Sequence, residues 1–365
     1  MAYQNVGTCR FYVDYLLWLK TLGLPYIISP ENTANPLEGE TTYPLGEYDS
    51  YLDSSVLQST ISLNPSNQIT LYNYEISEEW EYIQLPASPA IAHPTIAGQN
   101  TRYFAVLGHN IHSANSSINI STESPYPQNV VNLDTQYDGF SIGINYGGLE
   151  AGEEGFDKAY RIWFRDGTNN LKVGCYSVGN YYDMPHSPDL KLTMTREMDG
   201  VKRIRTKGGA DLVDHKYTKP AMWGNSGAWE LYDGTPLNQN LSRSGRRVWD
   251  LSFSYLDQSD VFGSNPLIGQ YTGGVVLTEA DGWDGDDIAD ANNTMFSNNL
   301  LDDNNFYSQV IHKTNGGQLP FIFQPDNSSN HTDNFAICKF DMNSFKFEQV
   351  ANGVYNVKLK IREAW

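Results

Sequence analysis

Val354-Tyr-Asn-Val-Lys-Leu-Lys-Ile-Arg362, near the C-terminus, alternates between apolar and polar side chains. Successive side chains of a β-strand point to opposite faces, so this pattern predicts a strand with one buried face. The apolar face carries Tyr355, Val357, Leu359 and Ile361. The opposite face is basic and is predicted to contact a partner molecule through Lys358, Lys360 and Arg362.

The segment before this strand predicts its pairing partner. Ser344–Val350 alternates as well, with Phe345 and Phe347 on one face. Between the two runs lies Asn352-Gly353, and both residue types tolerate the positive φ angles of a tight hairpin turn. The sequence therefore predicts a β-hairpin over residues 344–362.

Composition extends this prediction to the whole chain of 365 residues. Aromatic residues make up 13%, and 31 Gly and 17 Pro indicate many turns, while charged residues are only 18%. This balance favours an all-β, loop-rich protein.

Charge excludes some classes of partner. The net charge of -19 argues against nucleic acid and anionic membranes, because phosphate binding needs clustered Lys and Arg. Glu31–Asp157 is acidic, whereas Lys191–Arg247 is basic. Two interpretations stay open: two solvated faces of opposite charge, or complementary surfaces between copies of an oligomer.

The cysteines and the apolar runs bear on where the chain folds. Cys9, Cys175 and Cys338 lack metal or redox spacing, which favours folding in a reducing compartment. No secretory signal or membrane-spanning run is visible in the sequence. We therefore expect synthesis in a cytoplasm.

Three regions are predicted along the chain. Residues 1–49 are predicted to be an extended N-terminal arm that contacts a partner through Phe11, Tyr15 and Trp18. Helical spacing fits this apolar group, and a strand with Phe11, Val13 and Tyr15 on one face fits nearly as well.

The second region, residues 50–182, contains short apolar runs separated by Gly, Pro, Asn or Ser, which is typical of a sandwich or jelly roll. Within it, Ala159–Arg165 and Leu171–Val178 flank Asp166-Gly167 and predict a hairpin.

The third region, residues 183–365, is predicted to be another β-domain with a long loop at 260–299. Leu190, Leu192 and Met194 are predicted to share one strand face. Another strand face is predicted from Trp249, Leu251, Phe253 and Tyr255. One helix is predicted over residues 303–313, beginning at Asp303 and ended by Gly316-Gly317.

Few residues suggest chemistry, and we expect no enzyme, no catalytic residues and no cofactor. Asp281, Asp284, Asp286 and Asp287 form an acidic loop that either is solvated or holds a structural Ca²⁺. His109 and His112 fit a hydrogen-bonded turn better than a metal site. Packing is the favoured role of Trp223, Trp229 and Trp283, and sugar stacking is the alternative.

Several segments together resemble virion structural proteins of tailed, especially marine, bacteriophages. They are Val178–Asp189, Thr206–Ala210, Gly245–Tyr255, Asn305–Gly317 and the C-terminal hairpin. Separately, Thr101–Ile111 looks like part of a discoidin-type, galactose-binding-like jelly roll. A jelly roll combined with a tail-tube-like β-barrel or sandwich is similar to distal tail, or baseplate hub, proteins.

This resemblance implies a tail or baseplate protein that forms a homo-oligomeric ring and docks other tail proteins in the virion. The jelly roll precedes the tube-like region here, which departs from the order in those proteins. One alternative is a lectin-like receptor-recognition module that binds a host surface glycan. A less favoured alternative is a polysaccharide hydrolase.

Overall fold

The structure is a computed structural model. It describes residues 7–22, 29–33, 43–44, 59–71, 80–85, 102–121, 131–132, 136–144, 160–165, 171–198, 202–214, 223, 227–231, 245–261 and 303–364. The described residues are mostly in strands, with few and short helices, so the predicted all-β class is confirmed. No helix in these ranges is long and apolar enough to cross a membrane.

The strands in chain order are β1 (Arg10–Asp14), β2 (Ser29–Thr33), β3 (Tyr43–Pro44), β4 (Ile69–Leu71), β5 (Trp80–Leu85), β6 (Arg102–His109), β7 (Ser117–Ser121), β8 (Val131–Asn132), β9 (Gly139–Ile144), β10 (Tyr160–Arg165), β11 (Leu171–Val173), β12 (Cys175–Asp183), β13 (Thr193–Glu197), β14 (Lys202–Arg205), β15 (Asp211–Asp214), β16 (Arg246–Asp257), β17 (Phe321–Gln324), β18 (Ala336–Phe340), β19 (Phe347–Ala351) and β20 (Val354–Glu363). The helical segments are α1 (Tyr15–Thr21), α2 (Gln258–Val261), a π-helix (Tyr307–Ile311) and two 3₁₀ turns (His312–Thr314 and Thr332–Asn334).

Ten strands form one large antiparallel sheet. Its order is β13-β16-β20-β18-β17-β1-β12-β6-β9, and β19 pairs with β20. The predicted C-terminal hairpin is confirmed, since β19 and β20 pair on either side of Asn352-Gly353. The predicted inward face is also confirmed, because Tyr355, Val357, Leu359 and Ile361 are all buried.

The N-terminal strand β1 lies in the middle of this sheet, and this corrects the predicted arm. Phe11 pairs with Tyr182 of β12 on one side and with Phe323 of β17 on the other. Residues 10–18 are thus part of the core and do not form an extended arm. The sheet also crosses the expected division at residues 182 and 183, because β1 joins strands from both predicted β-domains.

Both faces of the large sheet are covered, which explains why every residue of β1 is buried. Phe11 and Val13 pack on one face in a cluster that includes Phe253. Tyr12 packs on the other face in a cluster that includes Tyr103. Burial on both faces removes the alternation from which a strand is recognised in sequence.

The remaining pairings include a six-stranded sheet, in the order β3-β2-β5-β10-β7-β8, and the two-stranded pairs β11-β4 and β14-β15. The predicted hairpin between residues 159–165 and 171–178 is wrong, because β10 pairs with β5 and β7. After β11 the chain passes Gly174 and enters the large sheet as β12. A Cβ at Gly174 would lie 2.2 Å from the Pro65 carbonyl oxygen, so the close contact there requires glycine.

A bulge in β16 changes one predicted face. Trp249, Leu251 and Phe253 are buried as predicted, but Tyr255 is 79% exposed. The pairing of β16 with β20 moves from Phe253–Val357 to Leu256–Tyr355, so β16 contains one extra residue. The bulge gives Tyr255 a φ of 63° and turns Leu256 inward in its place.

The predicted helix near residue 303 is present as a π-helix followed by a 3₁₀ turn. Asn305, and not the expected Asp303, caps its beginning, since Asn305 Oδ1 accepts the Ser308 N–H at 2.8 Å. The predicted end is confirmed: Gly316 has a φ of 69°, and its N–H donates to the Ile311 carbonyl at 2.8 Å.

A fully buried lysine joins this helical segment to α1. Lys313 Nζ donates to Tyr15 Oη at 2.9 Å and to Gln309 Oε1 at 2.7 Å, and it lies 4.8 Å from the centroid of the Tyr15 ring. Tyr15 Oη donates in turn to Gln309 Oε1 at 3.0 Å. Buried polar groups require such partners, and this network fixes the N-terminal helix against the C-terminal part of the chain.

Candidate assembly surface

The strand β13 forms one end of the ten-stranded sheet. It pairs with β16 on one side, and no described strand pairs with its outer side. An edge of this kind presents unpaired backbone groups to which another chain can add. Another chain can therefore pair with β13 at this edge.

The apolar face of the sheet continues onto this open edge. Ile361, Trp249 and Met194 are directly opposite one another on the neighbouring strands β20, β16 and β13. Their exposed fractions are 0%, 7% and 51%. Directly opposed residues share a face of the sheet. On this face Ile361 and Trp249 are buried, whereas Met194 on the edge strand is exposed.

More apolar side chains flank Met194 and are exposed. They are Leu190, Leu192 and Met198, at 76%, 40% and 47%. The sequence predicted one strand face from Leu190, Leu192 and Met194, but β13 begins only at Thr193, so the first two precede the strand. Contiguous exposed apolar residues are typical of interaction sites.

The two-stranded hairpin of β14 and β15 follows this edge in the chain. Ile204 and Leu212 are directly opposite each other in its register and are 61% and 58% exposed. Its turn is fixed by Thr206, whose Oγ1 accepts the Ala210 N–H at 3.0 Å, and by Gly209, which has a φ of 83°. Both strands pair only with each other in the described part of the chain.

The hairpin is basic, although the chain is acidic. Residues 202–214 contain Lys202, Arg203, Arg205 and Lys207 against two aspartates, whereas residues 31–157 contain seventeen Asp and Glu and a single Arg. Arg205 pairs only loosely with Asp211, at 3.7 Å, and both side chains are mostly exposed. This hairpin is not among the predicted elements, and its signal in the sequence is Gly208-Gly209 between Ile204 and Leu212.

The predicted basic face of β20 is partly neutralised within the chain. Lys360 Nζ lies 2.7 Å from Asp341 Oδ2, and the hydrogen bond to this carboxylate raises the pKa of the lysine. Arg362 Nη2 lies 2.8 Å from Glu197 Oε2. Lys358 is exposed. The expectation that all three side chains are available to a partner is therefore corrected for Lys360 and Arg362.

The predicted N-terminal contact residues are also corrected. Phe11, Tyr15 and Trp18 are 0%, 5% and 2% exposed, so their side chains contact other residues of the same chain. Phe11 lies between the rings of Phe306 and Phe323, with centroids 5.5 and 5.2 Å away. In this fold the three aromatics stabilise the core and are inaccessible to a partner.

The two histidines do not form a shared site. His109 is buried, with its Nε2 3.1 Å from Ser141 Oγ, and its Nδ1 accepts the Ile111 N–H at 3.4 Å. Burial lowers the pKa of His109 to about 3. His112 is exposed. Both ring nitrogens of His109 thus have protein partners, as the predicted hydrogen-bonded turn requires.

The predicted calcium ligands Asp281, Asp284, Asp286 and Asp287 lie outside the described residues. Within the described ranges, no group of three or more His, Cys, Asp or Glu side chains is placed to hold a metal ion. The Ca²⁺ site remains a prediction.

Two of the three tryptophans considered for sugar binding line a crevice of about 280 Å³ with Pro65, Ile337 and Lys339. Trp223 and Trp229 are only 4% and 3% exposed, and their ring centroids are 4.7 Å apart. Trp229 also stacks on Phe335 at 5.7 Å. Neither ring offers an open face to a sugar, which supports the packing role. Trp283 lies outside the described residues.

No protein-family model, curated protein or solved structure matches the chain. Its distinctive feature is the open β13 edge together with the β14–β15 hairpin, which we call the assembly surface.

Proposed function

We propose that this chain is a structural protein of a tailed-bacteriophage virion, acting at the tail or baseplate. It self-assembles into a homo-oligomer, such as a ring, and docks neighbouring tail proteins. The role assigns no catalytic residue and no cofactor. Two lines of reasoning support it: the resemblance of its sequence segments to virion structural proteins, and the character of the assembly surface.

The observation that carries the self-assembly part of the proposal is the row Ile361, Trp249 and Met194. The apolar face of this sheet extends to an edge strand whose outer side is open in the described structure. A second molecule that covers this edge lowers the free energy by burying apolar surface. Burial contributes roughly 25 cal/mol per Å² of apolar surface. An edge strand left uncovered would promote uncontrolled association. A protein that assembles in a defined way uses the same edge as its contact.

We also propose a modified arrangement of the two predicted β-domains. The jelly roll expected at residues 50–182 and the tube-like domain expected at 183–365 share one sheet through β1 and β12. In the proposed particle this shared sheet presents the β13 edge.

The location can be tested by electron microscopy. Antibodies raised against the purified chain are applied to tailed virions whose genome encodes it, followed by gold-labelled secondary antibody. We expect gold at the tail or its tip in intact particles. Labelling of heads alone, or no chain in purified virions by mass spectrometry, would refute the proposal.

The assembly itself can be tested in solution. Sedimentation velocity of the purified chain over a range of concentrations should show a discrete oligomer. The variant Met194→Ser should shift the distribution toward monomer. Val350→Ser, at a similarly exposed apolar residue on β19, is the matched control and should leave the distribution unchanged. A chain that stays monomeric at every concentration contradicts self-assembly.

A further inference from the structure

The β14–β15 hairpin has no support from the rest of the described structure. Its four-residue strands pair only with each other, and every described side chain in them is exposed. An isolated two-stranded hairpin is marginally stable at best in water. A hairpin with these features gains stability when another surface covers it.

We propose that this hairpin is a docking arm that binds a second copy of the same chain, whose net charge is -19. The inference rests on the proposed self-assembly and names the element and the partner that carry it. The open edge of β13 contributes an adjacent contact, and the hairpin supplies affinity and orientation.

The apolar part of the arm is the pair Ile204 and Leu212. These residues lie directly opposite each other, so their side chains stand on the same face and form one small patch. Val213, which is 37% exposed, lies opposite Arg203 on the other face. The face with Ile204 and Leu212 is therefore the one that a partner covers, and Lys202 lies on the same face, two residues before Ile204.

Charge identifies the partner as a second copy. The arm has a net positive charge within a chain of net charge -19, and the acidic excess is concentrated in residues 31–157. Opposite charges on the arm and on an acidic partner chain raise the association rate and favour one orientation of docking. Nucleic acid would also attract a basic hairpin, but it would be repelled by the acidic remainder of the chain.

The test uses the full-length chain with Ile204→Ser and Leu212→Ser combined. Sedimentation velocity should show at least a tenfold weaker self-association than for the wild type. Near-ultraviolet circular dichroism should be unchanged, because both side chains are exposed and lie outside the core. Val350→Ser is again the matched control, and it should associate as the wild type does.

A second variant separates charge from apolar contact. Replacing Lys202 and Arg203 with Glu should weaken association, and the wild-type association should weaken as salt is raised from 50 to 500 mM. Fluorescence anisotropy with a labelled DNA duplex tests the other partner class. Tight duplex binding that these charge substitutions abolish would overturn the assignment of a second copy as the partner.

The outcomes distinguish this inference from the proposed function. If the apolar double variant associates like the wild type while gold labelling finds the chain in virion tails, the docking arm is refuted and the tail role stands. If the variant loses association but no virion contains the chain, the docking arm stands and the tail role is refuted.

Discussion

Arg362 on β20 forms an ion pair with Glu197 on β13, with 2.8 Å between Nη2 and Oε2, although β16 lies between the two strands. The pair spans one strand and ties the edge of the sheet to its C-terminal strand. It therefore holds in position the strand that we propose as an assembly contact.

Replacing Arg362 with Gln should loosen this edge without unfolding the protein. Both side chains are 35% exposed, so solvent screens the pair, and its contribution to the free energy of unfolding should be below about 1 kcal/mol. Hydrogen exchange of the β13 amides should become faster, whereas exchange in β17 should not change. Equal β13 exchange rates in the variant and the wild type would show that the pair does not hold the edge.

Replacing Leu359 with Ala should destabilise the whole chain. The side chain is 2% exposed in the core cluster that also contains Val357 and Ile361. Removing it should lower the free energy of unfolding by about 2–5 kcal/mol. Chemical denaturation measures this loss, and Lys358→Gln, at the exposed neighbouring position, is the matched control. A loss below about 1 kcal/mol would mean that the site collapses around the missing atoms.

The sequence predicted those elements whose signal is local. The hairpin of β19 and β20 alternates strictly and carries Asn352-Gly353 at its turn, so both the pairing and the buried face were predictable. The same reasoning failed for β16, because nothing in Phe253–Leu256 marks the bulge that exchanges Tyr255 for Leu256. A bulge depends on how a strand meets its partner, which a single strand's pattern does not encode.

The N-terminal strand β1 could not be predicted, because its structure depends on pairing with strands that are distant in sequence. Phe11, Tyr12 and Val13 form an unbroken apolar run that fits a helix, an arm or a strand buried on both faces. Only the pairing with β12 and β17, more than 150 residues away in sequence, distinguishes these possibilities. The assembly surface was predictable only in part, because exposure at Met194 follows from the edge position of β13.

Deleting residues 1–14 should therefore prevent folding. Without β1 the sheet loses its connection between β12 and β17, and Phe11, Tyr12 and Val13, each at most 1% exposed, leave the two core clusters. We expect a chain that lacks a cooperative unfolding transition and binds a hydrophobic dye. Deletion of residues 1–6 is the control. A cooperative transition in the longer truncation would show that the chain folds without β1.

Asp14 at the end of β1 should make the protein less stable as pH rises. It is 2% exposed and accepts the Leu17 N–H at 3.2 Å, and burial raises its pKa from 3.8 to about 7. The folded state therefore holds the proton more tightly than the unfolded chain does. This stabilisation is complete below pH 3.8 and is lost as pH rises to about 7, for a total of about 4 kcal/mol.

Asp14→Asn removes this titration and keeps an oxygen that can accept the Leu17 N–H. Chemical denaturation at pH 4 and pH 8 should show the variant gaining about 4 kcal/mol relative to the wild type between the two conditions. The same substitution at the exposed Asp250 is the matched control. Parallel stability profiles for Asp14→Asn and the wild type would refute the assignment.

His109 should make the protein less stable as pH falls, which is the opposite of the effect of Asp14. Its folded pKa of about 3 lies below the ordinary value of 6.5, because burial disfavours the charged imidazolium, and protonation would also remove the acceptor at Nδ1. The unfolded chain binds this proton first as pH falls. Stability is thus lost between pH 6.5 and 3, for a total of about 5 kcal/mol.

His109→Gln tests this directly, with His112→Gln as the matched control on the same turn. The His109 variant should be less stable than the wild type at pH 7, since it leaves packing and hydrogen bonds incomplete. Its deficit should shrink by about 3 kcal/mol at pH 4, where the wild type has lost part of its stability. Because the contributions of Asp14 and His109 oppose each other between pH 3.8 and 6.5, their slopes largely cancel in the wild type across that window. In each single variant, the pH dependence of stability that comes from the other group should therefore become visible. If His109→Gln is less stable than the wild type by the same amount at pH 4 and pH 7, His109 is not a buried neutral histidine.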